Sequence, residues 1–172
     1  QLKFSNSMPV VSPKGERIAF VSNRSGVMRI WASNLDGSNA RQISKPEMDY
    51  HQAIKAPIEQ KVPAWSPDSK WIAHWEGVEM IHLSKFTGVR DPERDQMILA
   101  TFHVWVVGSD GKNRRKVGRG DDPNWSPDGF VTRAFPDQDR GGPKIMIETP
   151  SGEKELSIVP RQKNWGRFTW KP

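Results

Sequence analysis

Histidine is the residue type in this chain best suited to bind a metal, and all four histidines lie between residues 51 and 103. Neutral imidazoles, together with carboxylates, are ligands of divalent transition metals such as zinc, iron and nickel. The stretch 74–82 alone contains two histidines and two glutamates. One chemical hypothesis is therefore a single divalent-metal site, whose candidate ligands are His51, His74, His82 and His103. The competing interpretation places His74 and His103 within strands, with their rings bonded to the backbone.

Two long connecting segments, 46–52 and 76–95, would present such side chains to solvent. Long loops on a rigid scaffold are where binding and catalytic residues concentrate. Both segments carry aromatic and charged residues of the kind that interfaces favour. The candidate binding residues are Tyr50, Trp75, Glu79, His82, Phe86 and Arg90.

A repeated phrase indicates the scaffold that must hold these loops. Ser-Pro stands at the centre of three copies, which begin at Val11, Trp65 and Trp125, and a degenerate fourth copy covers 168–172. Proline presets the backbone for a turn, and glycine accepts a positive φ at no steric cost. A short apolar strand follows each full copy, and an Asp-Gly turn closes a second strand in the first two repeats. Such self-similarity predicts a repeat architecture of short strands.

The repeats predict an all-β fold, an arc of a β-propeller with about three four-stranded blades in a single domain, 1–172. The blades are expected at about 8–44, 63–118 and 123–157, with an insertion at 76–101 and an extra closing strand at about 166–171. Trp65, Trp125 and Trp170 precede the turns at matching positions. A large ring recurring once per repeat is expected to fill the space between adjacent sheets.

The repeat pattern resembles the WD40-like (PD40) repeat of TolB-type β-propellers. The pattern runs from Ser12 to Arg41 in the first repeat, where Ser22-Asn23-Arg24-Ser25-Gly26 is an especially close match, and returns at 63–116 and 123–156. The resemblance implies four-stranded blades and a bacterial envelope protein, periplasmic or extracellular. It does not imply one activity, because the same blades serve binding proteins, peptidases and sugar lyases.

Three blades are fewer than the roughly four to eight of a closed propeller. An unclosed arc exposes apolar sheet faces and strand edges, which favour association. We consider three explanations. The chain is part of a longer protein, or two chains form a homodimer that closes one six-bladed ring, the blade number that the resemblance implies. In the third, the insertions 45–62 and 76–101 cover the open faces.

Composition narrows the classes of function. The absence of cysteine excludes disulfides, thiolate metal sites and cysteine nucleophiles. No apolar run is long enough to span a membrane. The net charge of +6 raises nucleic acid as a partner, with the densest basic run at 112–116. That run occupies an edge-strand position where charged residues prevent aggregation, so we interpret it as a solvated edge and do not expect nucleic acid binding.

The sequence thus favours a non-catalytic TolB-like binding module without a cofactor, which engages a protein or envelope partner through its inter-blade loops. The alternative is a metal-dependent propeller enzyme, or a lectin-like protein, that acts on an acidic polysaccharide. In that case the resemblance extends to oligogalacturonate lyases, which hold a divalent metal with several histidines and a glutamine. The four histidines would then be the ligands, and Arg90 or Arg94 would receive substrate carboxylates.

Overall fold

The computed structural model describes residues 4–79, 92–135, 144–149 and 152–156. Its first sheet is an antiparallel meander of four strands in chain order. The strands are β1 (Asn6–Val11), β2 (Arg17–Ser22), β3 (Arg29–Asn34) and β4 (Arg41–Gln42). A short hairpin of β5 (Tyr50–His51) and β6 (Ala56–Pro57) follows it.

The second and third sheets repeat the same meander. The second contains β7 (Glu59–Trp65), β8 (Trp71–Gly77), β9 (His103–Gly108) and β10 (Arg115–Arg119). One helix, α1 (Pro92–Thr101), lies in the connection between β8 and β9. The third sheet contains β11 (Asp121–Trp125), β12 (Val131–Phe135), β13 (Lys144–Thr149) and β14 (Gly152–Leu156). Three antiparallel four-stranded sheets confirm the predicted fold class, whereas the closing strand expected at 166–171 lies outside the described residues.

The Ser-Pro turns share one hydrogen-bonding scheme, which explains why serine recurs in them. The buried hydroxyl oxygens of Ser12, Ser66 and Ser126 each accept a hydrogen bond from a backbone N–H at or next to the start of the following strand, at 2.9–3.1 Å. The residue three positions later adopts a positive φ in each turn, and Ser69 does so where the other two turns have glycine. Side-chain acceptors of this kind fix a turn locally.

The repeated tryptophans join neighbouring sheets. Trp65 Nε1 donates to the carbonyl of Val10 at 2.9 Å, and Trp125 Nε1 donates to the carbonyl of Ala64 at 3.0 Å. Each ring therefore reaches the first strand of the preceding sheet, as predicted. Trp170 lies outside the described residues.

Two apolar cores separate the blades, and a third lies beneath the hairpin and the helix. The first core joins the first and second sheets around Ile30 and Ile72, and the second joins the second and third sheets around Val104 and Val131. Strand β7 lies against both β1 and β11, so the first strands of the three sheets are neighbours. This arrangement is that of propeller blades around an axis.

A candidate binding surface at the rim of the second blade

The two long connections of the second blade meet at one rim of the arc. Glu59, at the start of β7, pairs with Gly77 at the end of β8, and Glu76 pairs with His103 at the start of β9. The segment before β7 and the segment between β8 and β9 therefore emerge on the same side. The sequence separates these segments, and only the meander brings them together.

Arg29 anchors the first of these segments. Its side chain is 3% exposed, and its guanidinium donates to the carbonyl of Ile58 at 2.6 Å through Nη1 and binds Asp49 Oδ1 at 2.6 Å through Nη2. A buried arginine must be satisfied in this way, because an unpaired buried charge is costly. The hairpin segment is thereby held against the start of β3.

The helix packs on the same hairpin through a shared apolar cluster. The helix begins at Pro92 and carries Glu93 and Asp95 in its first turn. Proline and acidic residues are favoured at this end of a helix. Ile98 is fully buried, and Trp75 meets Phe102 edge-to-face at 5.0 Å between ring centroids. The buried members of the cluster are Ile54, Ala56, Ile58, Trp75, Val78, Ile98 and Phe102.

Three large apolar side chains on these two segments remain exposed. Met48 and Tyr50 of the hairpin segment are 61% and 43% exposed, and Met97 of the helix is 42% exposed. We call these three residues the rim surface. Methionine and tyrosine are residue types that adaptable binding surfaces use. The shared cluster beneath them holds both segments on one support.

The predicted binding residues separate into four groups. Tyr50 belongs to the rim surface. Trp75 is only 6% exposed, so it supports the rim from below instead of offering a contact. Glu79 is partly exposed and forms an ion pair with Lys61 at 2.5 Å. His82, Phe86 and Arg90 lie outside the described residues.

The histidines that the structure describes bond to neighbouring protein atoms. The fully buried His74 bonds Ser44 Oγ through Nε2 at 2.9 Å and meets the Trp75 carbonyl through Nδ1 at 3.3 Å. Burial lowers the pKa of His74 to about 3, so the ring is neutral. His103 Nδ1 bonds the Thr101 carbonyl at 2.9 Å, and burial lowers its pKa as well. Both residues thus lie in strands, and each ring contacts a backbone carbonyl.

Within the described ranges, no three histidine or carboxylate side chains converge as metal ligands would. His51 Nδ1 accepts a hydrogen bond from the Ile54 N–H at 3.3 Å. Because His74 uses both ring nitrogens, it has no lone pair to offer without breaking a buried contact. His82, the fourth candidate ligand, lies outside the described residues, so the metal site stays a prediction.

A buried polar network between the first and second blades was not predicted. Gln60 Nε2 donates to Ser44 Oγ and to Glu76 Oε2, and Arg114 binds the same carboxylate oxygen at 2.5 Å. The Arg114 guanidinium also stacks on Trp105, 3.5 Å from the ring centroid. The basic run 112–116 is therefore not solvated throughout, because Arg114 turns inward. The sequence signal for this network was the presence of polar residues, Gln60 on β7 and His74 and Glu76 on β8, among apolar strand residues.

Comparisons with known proteins agree with the architecture. No family model matches the chain. The chain is 29% identical over 143 residues to an uncharacterized protein of Agrobacterium fabrum, an alignment that covers 76% of this chain and 41% of that protein. The crystal structure of TolB from Acinetobacter baumannii superimposes with a TM-score of 0.55 at 16% identity and covers 90% of this chain and 32% of that chain. An acylaminoacyl peptidase gives a TM-score of 0.54 at 19% identity and covers 88% of this chain and 25% of that chain.

These similarities define the fold and not an activity, since TolB and a peptidase share it. The chain spans less than half the length of the relatives it matches. Among the described residues, no helix combines the length and apolar character that crossing a bilayer requires. The repeated turns, the inter-blade tryptophans and the superposition lead to one conclusion: the chain folds as consecutive blades of a β-propeller, a fold that it shares with TolB.

Proposed function

We propose that this chain is a non-catalytic binding module that engages a protein partner through the rim surface, without a cofactor. The observation that carries the proposal is the exposure of Met48, Tyr50 and Met97 on two segments that share one buried cluster. Single exposed apolar residues are ordinary, whereas a contiguous apolar patch marks an interaction site. We infer that the three residues form such a patch, because the segments that carry them pack on one cluster. The fold shared with TolB is compatible with a binding role. The same fold occurs in an acylaminoacyl peptidase, so it is equally compatible with an enzyme.

The support beneath the rim surface favours binding energetically. Ordering a flexible loop on association costs free energy, which a preorganised surface avoids. Here the Arg29 ion pair and the Trp75–Phe102 contact hold the hairpin and the helix before a partner arrives. Exposed charges of both signs, Glu47 and Lys55, lie in the same hairpin segment and suit the polar margin of an interface.

We place the protein in the bacterial periplasm as part of the same proposal. The support for this compartment is the fold shared with TolB. Fractionation of cells of the source organism, with the native protein detected by an antibody raised against this chain, tests the compartment separately from the binding role. Recovery in the cytosolic fraction alone would remove the periplasmic assignment.

The binding role is tested by comparing capture by the wild-type chain with capture by two variants. The first carries Met48→Ser, Tyr50→Ser and Met97→Ser, which remove the rim surface without touching the buried cluster. The matched control is Leu35→Ser, because Leu35 is 49% exposed and lies in the turn after β3, at the opposite rim. Each immobilised chain is exposed to an extract of the source organism, and bound proteins are quantified by mass spectrometry.

We expect one protein to be enriched by the wild type and by the Leu35→Ser control and to be lost from the triple variant. The dissociation constant of that protein, once purified, should rise at least tenfold in the triple variant, since hot-spot truncations typically cost about 2 kcal/mol or more. Equal capture by all three chains would place the binding site elsewhere. Unchanged circular dichroism and melting temperature show that the triple variant is folded.

A further inference from the structure

A cleft at the rim opposite the rim surface contains two arginines. Its volume is about 450 Å³, and its lining residues are Arg17, Asn34, Asn39, Ala40 and Arg41. Arg17 begins β2, Asn34 ends β3 and Arg41 begins β4. The cleft therefore lies at the ends of three adjacent strands of the first blade. Its volume is in the range of small-molecule sites.

The second blade shows which contact the residue equivalent to Arg41 makes there. Arg41 and Arg115 stand at the same place in their blades, each four residues after the glycine of the Asp-Gly turn and two after an asparagine with φ 54°. Arg115 Nη1 binds Glu148 Oε1 of the next blade at 2.7 Å. In the second blade this carboxylate is supplied by the neighbouring sheet, and the guanidinium is paired.

Arg41 of the first blade has no corresponding carboxylate from the second blade. The strand pairing identifies the residue of the second blade that corresponds to Glu148. Ala73 of β8 pairs with Val106, and the equivalent Thr132 of β12 pairs with Ile147. Val106 therefore corresponds to Ile147, and the next residue, Val107, corresponds to Glu148. Val107 is fully buried in the core between the first and second blades. Arg41 is exposed, and in the part of the chain that the structure describes its guanidinium has no hydrogen-bond or ion-pair partner.

A second guanidinium reinforces this unpaired charge. Arg17 occupies the position that Trp71 holds in the second blade, one residue before the equivalent isoleucines Ile18 of β2 and Ile72 of β8. Its Nη1 donates to the Ser109 carbonyl at 2.7 Å, and its guanidinium lies over the Trp65 ring. Burial and then the Arg41 charge lower the pKa of Arg17, and Asp110 partly offsets them. Asp110 is the acidic side chain that faces Arg17, and its Oδ1 accepts the Lys112 N–H.

We propose that this cleft binds a carboxylate carried on a small polar molecule, with the ligand carboxylate taking the place that Glu148 takes beside Arg115. A guanidinium offers a planar pair of donors that matches a carboxylate in a bidentate manner. Arg41 supplies that pair, and Arg17 supplies a second, positioned charge. The Asn34 and Asn39 side chains line the remaining wall and offer amide groups to hydroxyls of the ligand. This site is independent of the rim surface and of the proposed protein partner.

Titration of the isotope-labelled chain with glucuronate, followed by ¹H–¹⁵N NMR, tests the proposal. Glucose serves as the neutral probe of equal size, and inorganic phosphate serves as the competing oxyanion. We expect saturable shifts for Asn34, Asn39 and Arg41 with glucuronate, none with glucose, and weaker binding of phosphate. Tighter binding of phosphate than of glucuronate would overturn the carboxylate assignment.

Two variants of one residue and one charge control separate recognition from general attraction. Arg41→Gln should weaken glucuronate binding about tenfold or more, and Arg41→Lys should weaken it by an intermediate factor, because lysine keeps the charge without the fork. Lys45→Gln, which removes an exposed charge outside the cleft, should leave the affinity unchanged. Equal weakening by Lys45→Gln and Arg41→Gln, or no saturable shift in the wild type, would sink the proposal.

Discussion

At the scale of single residues, the side chains that could do chemistry lie in two different environments. His74 and Glu76 belong to the buried network between the first and second blades, where Ser44 and Arg114 satisfy them. Tyr50 stands in solvent. This network connects the two blades through Ser44, which follows β4 of the first blade and is hydrogen-bonded to His74, Gln60 and Arg114 of the second. Its role is structural, whereas the proposed binding role rests on the exposed residues.

Because His74 is buried and neutral, we predict that the folded protein loses stability in mild acid. The pKa of His74 is about 3 in the folded protein and near 6.5 when unfolded, so the unfolded state takes up the proton first. The free energy of unfolding is therefore unaffected by this group above pH 6.5. It falls by up to about 1.4 kcal/mol per pH unit as the pH decreases from 6.5 towards 3.

Denaturant unfolding of the wild type and of His74→Gln at pH 7.5, 6 and 5 measures this contribution. Glutamine loses some stability at every pH, yet the difference between the two proteins should narrow as the pH falls. His51→Gln is the matched control, since it removes a histidine outside the buried network. A difference between wild type and His74→Gln that is constant with pH would contradict the prediction.

For Asp121 we predict the opposite dependence of the free energy of unfolding on pH. Burial, and then the charge of Asp122, raise the pKa of Asp121 to about 6, above its unfolded value of 3.8. The folded state is thus penalised once this carboxyl ionises, and the penalty disappears as the pH falls through 6 towards 3.8. Because the side chain is half-buried, solvent screening reduces the effect to the order of 1 kcal/mol. Asp121→Asn should raise the free energy of unfolding at pH 7.5 by this amount and not at pH 4, as measured by urea titration.

At the scale of elements, the first strand of every blade contains the same irregularity. Met8, Val62 and Asp122 adopt φ values of 51°, 54° and 44°, each immediately before a proline. The pairing register with the second strand shifts at each of these positions. A bulge of this kind bends the strand and increases its twist. Its repetition shows that it is part of the blade and not an accident of one sheet.

Val62 is the most strained of the three, because a β-branched side chain is a poor fit to this backbone conformation. Val62→Asn should raise the free energy of unfolding by about 1 kcal/mol, since asparagine tolerates a positive φ. Val10→Asn is the matched control: Val10 is likewise half-buried but has no positive φ, so the same change should destabilise. Thermal melts of both variants check the sign, and destabilisation by Val62→Asn would show that packing outweighs strain.

At the scale of the whole molecule, the arc is uneven. β7 lies between β1 and β11, whereas β1 has a neighbouring blade on one side among the described residues. Phe4, Met8 and Val11 on or beside β1 are 55%, 44% and 51% exposed. Val11 occupies the position that Trp65 and Trp125 hold in the other blades, where the side chain fills an inter-blade space. The side chains of Phe4, Met8 and Val11 leave an exposed apolar surface along β1.

We expect the isolated chain to self-associate through this surface. Val11→Lys should shift the association to higher protein concentration, because a charge would be buried in the contact. Leu35→Lys is the control, since Leu35 has similar exposure but lies in a turn after β3. Sedimentation velocity over a range of concentrations measures both. A wild-type chain that remains monomeric throughout would show that the β1 surface does not pair with a second copy.

The sequence by itself determined the number and kind of sheets. Turn chemistry is local: serine and proline, followed by glycine or by Ser69 at the position of positive φ, define each of the three Ser-Pro turns. The short apolar runs between turns favour strands. The inter-blade role of Trp65 and Trp125 followed from their recurrence beside those turns.

Tertiary structure alone decided which side chains meet. Ser44 and His74 are 30 residues apart, and Ser44 and Arg114 are 70 residues apart, yet both pairs are hydrogen-bonded. Likewise, Arg41 and Arg115 are equivalent in sequence, and only the neighbouring sheet makes one paired and the other unpaired. Contacts of this kind depend on how one twisted sheet stacks on the next, which local sequence patterns do not encode.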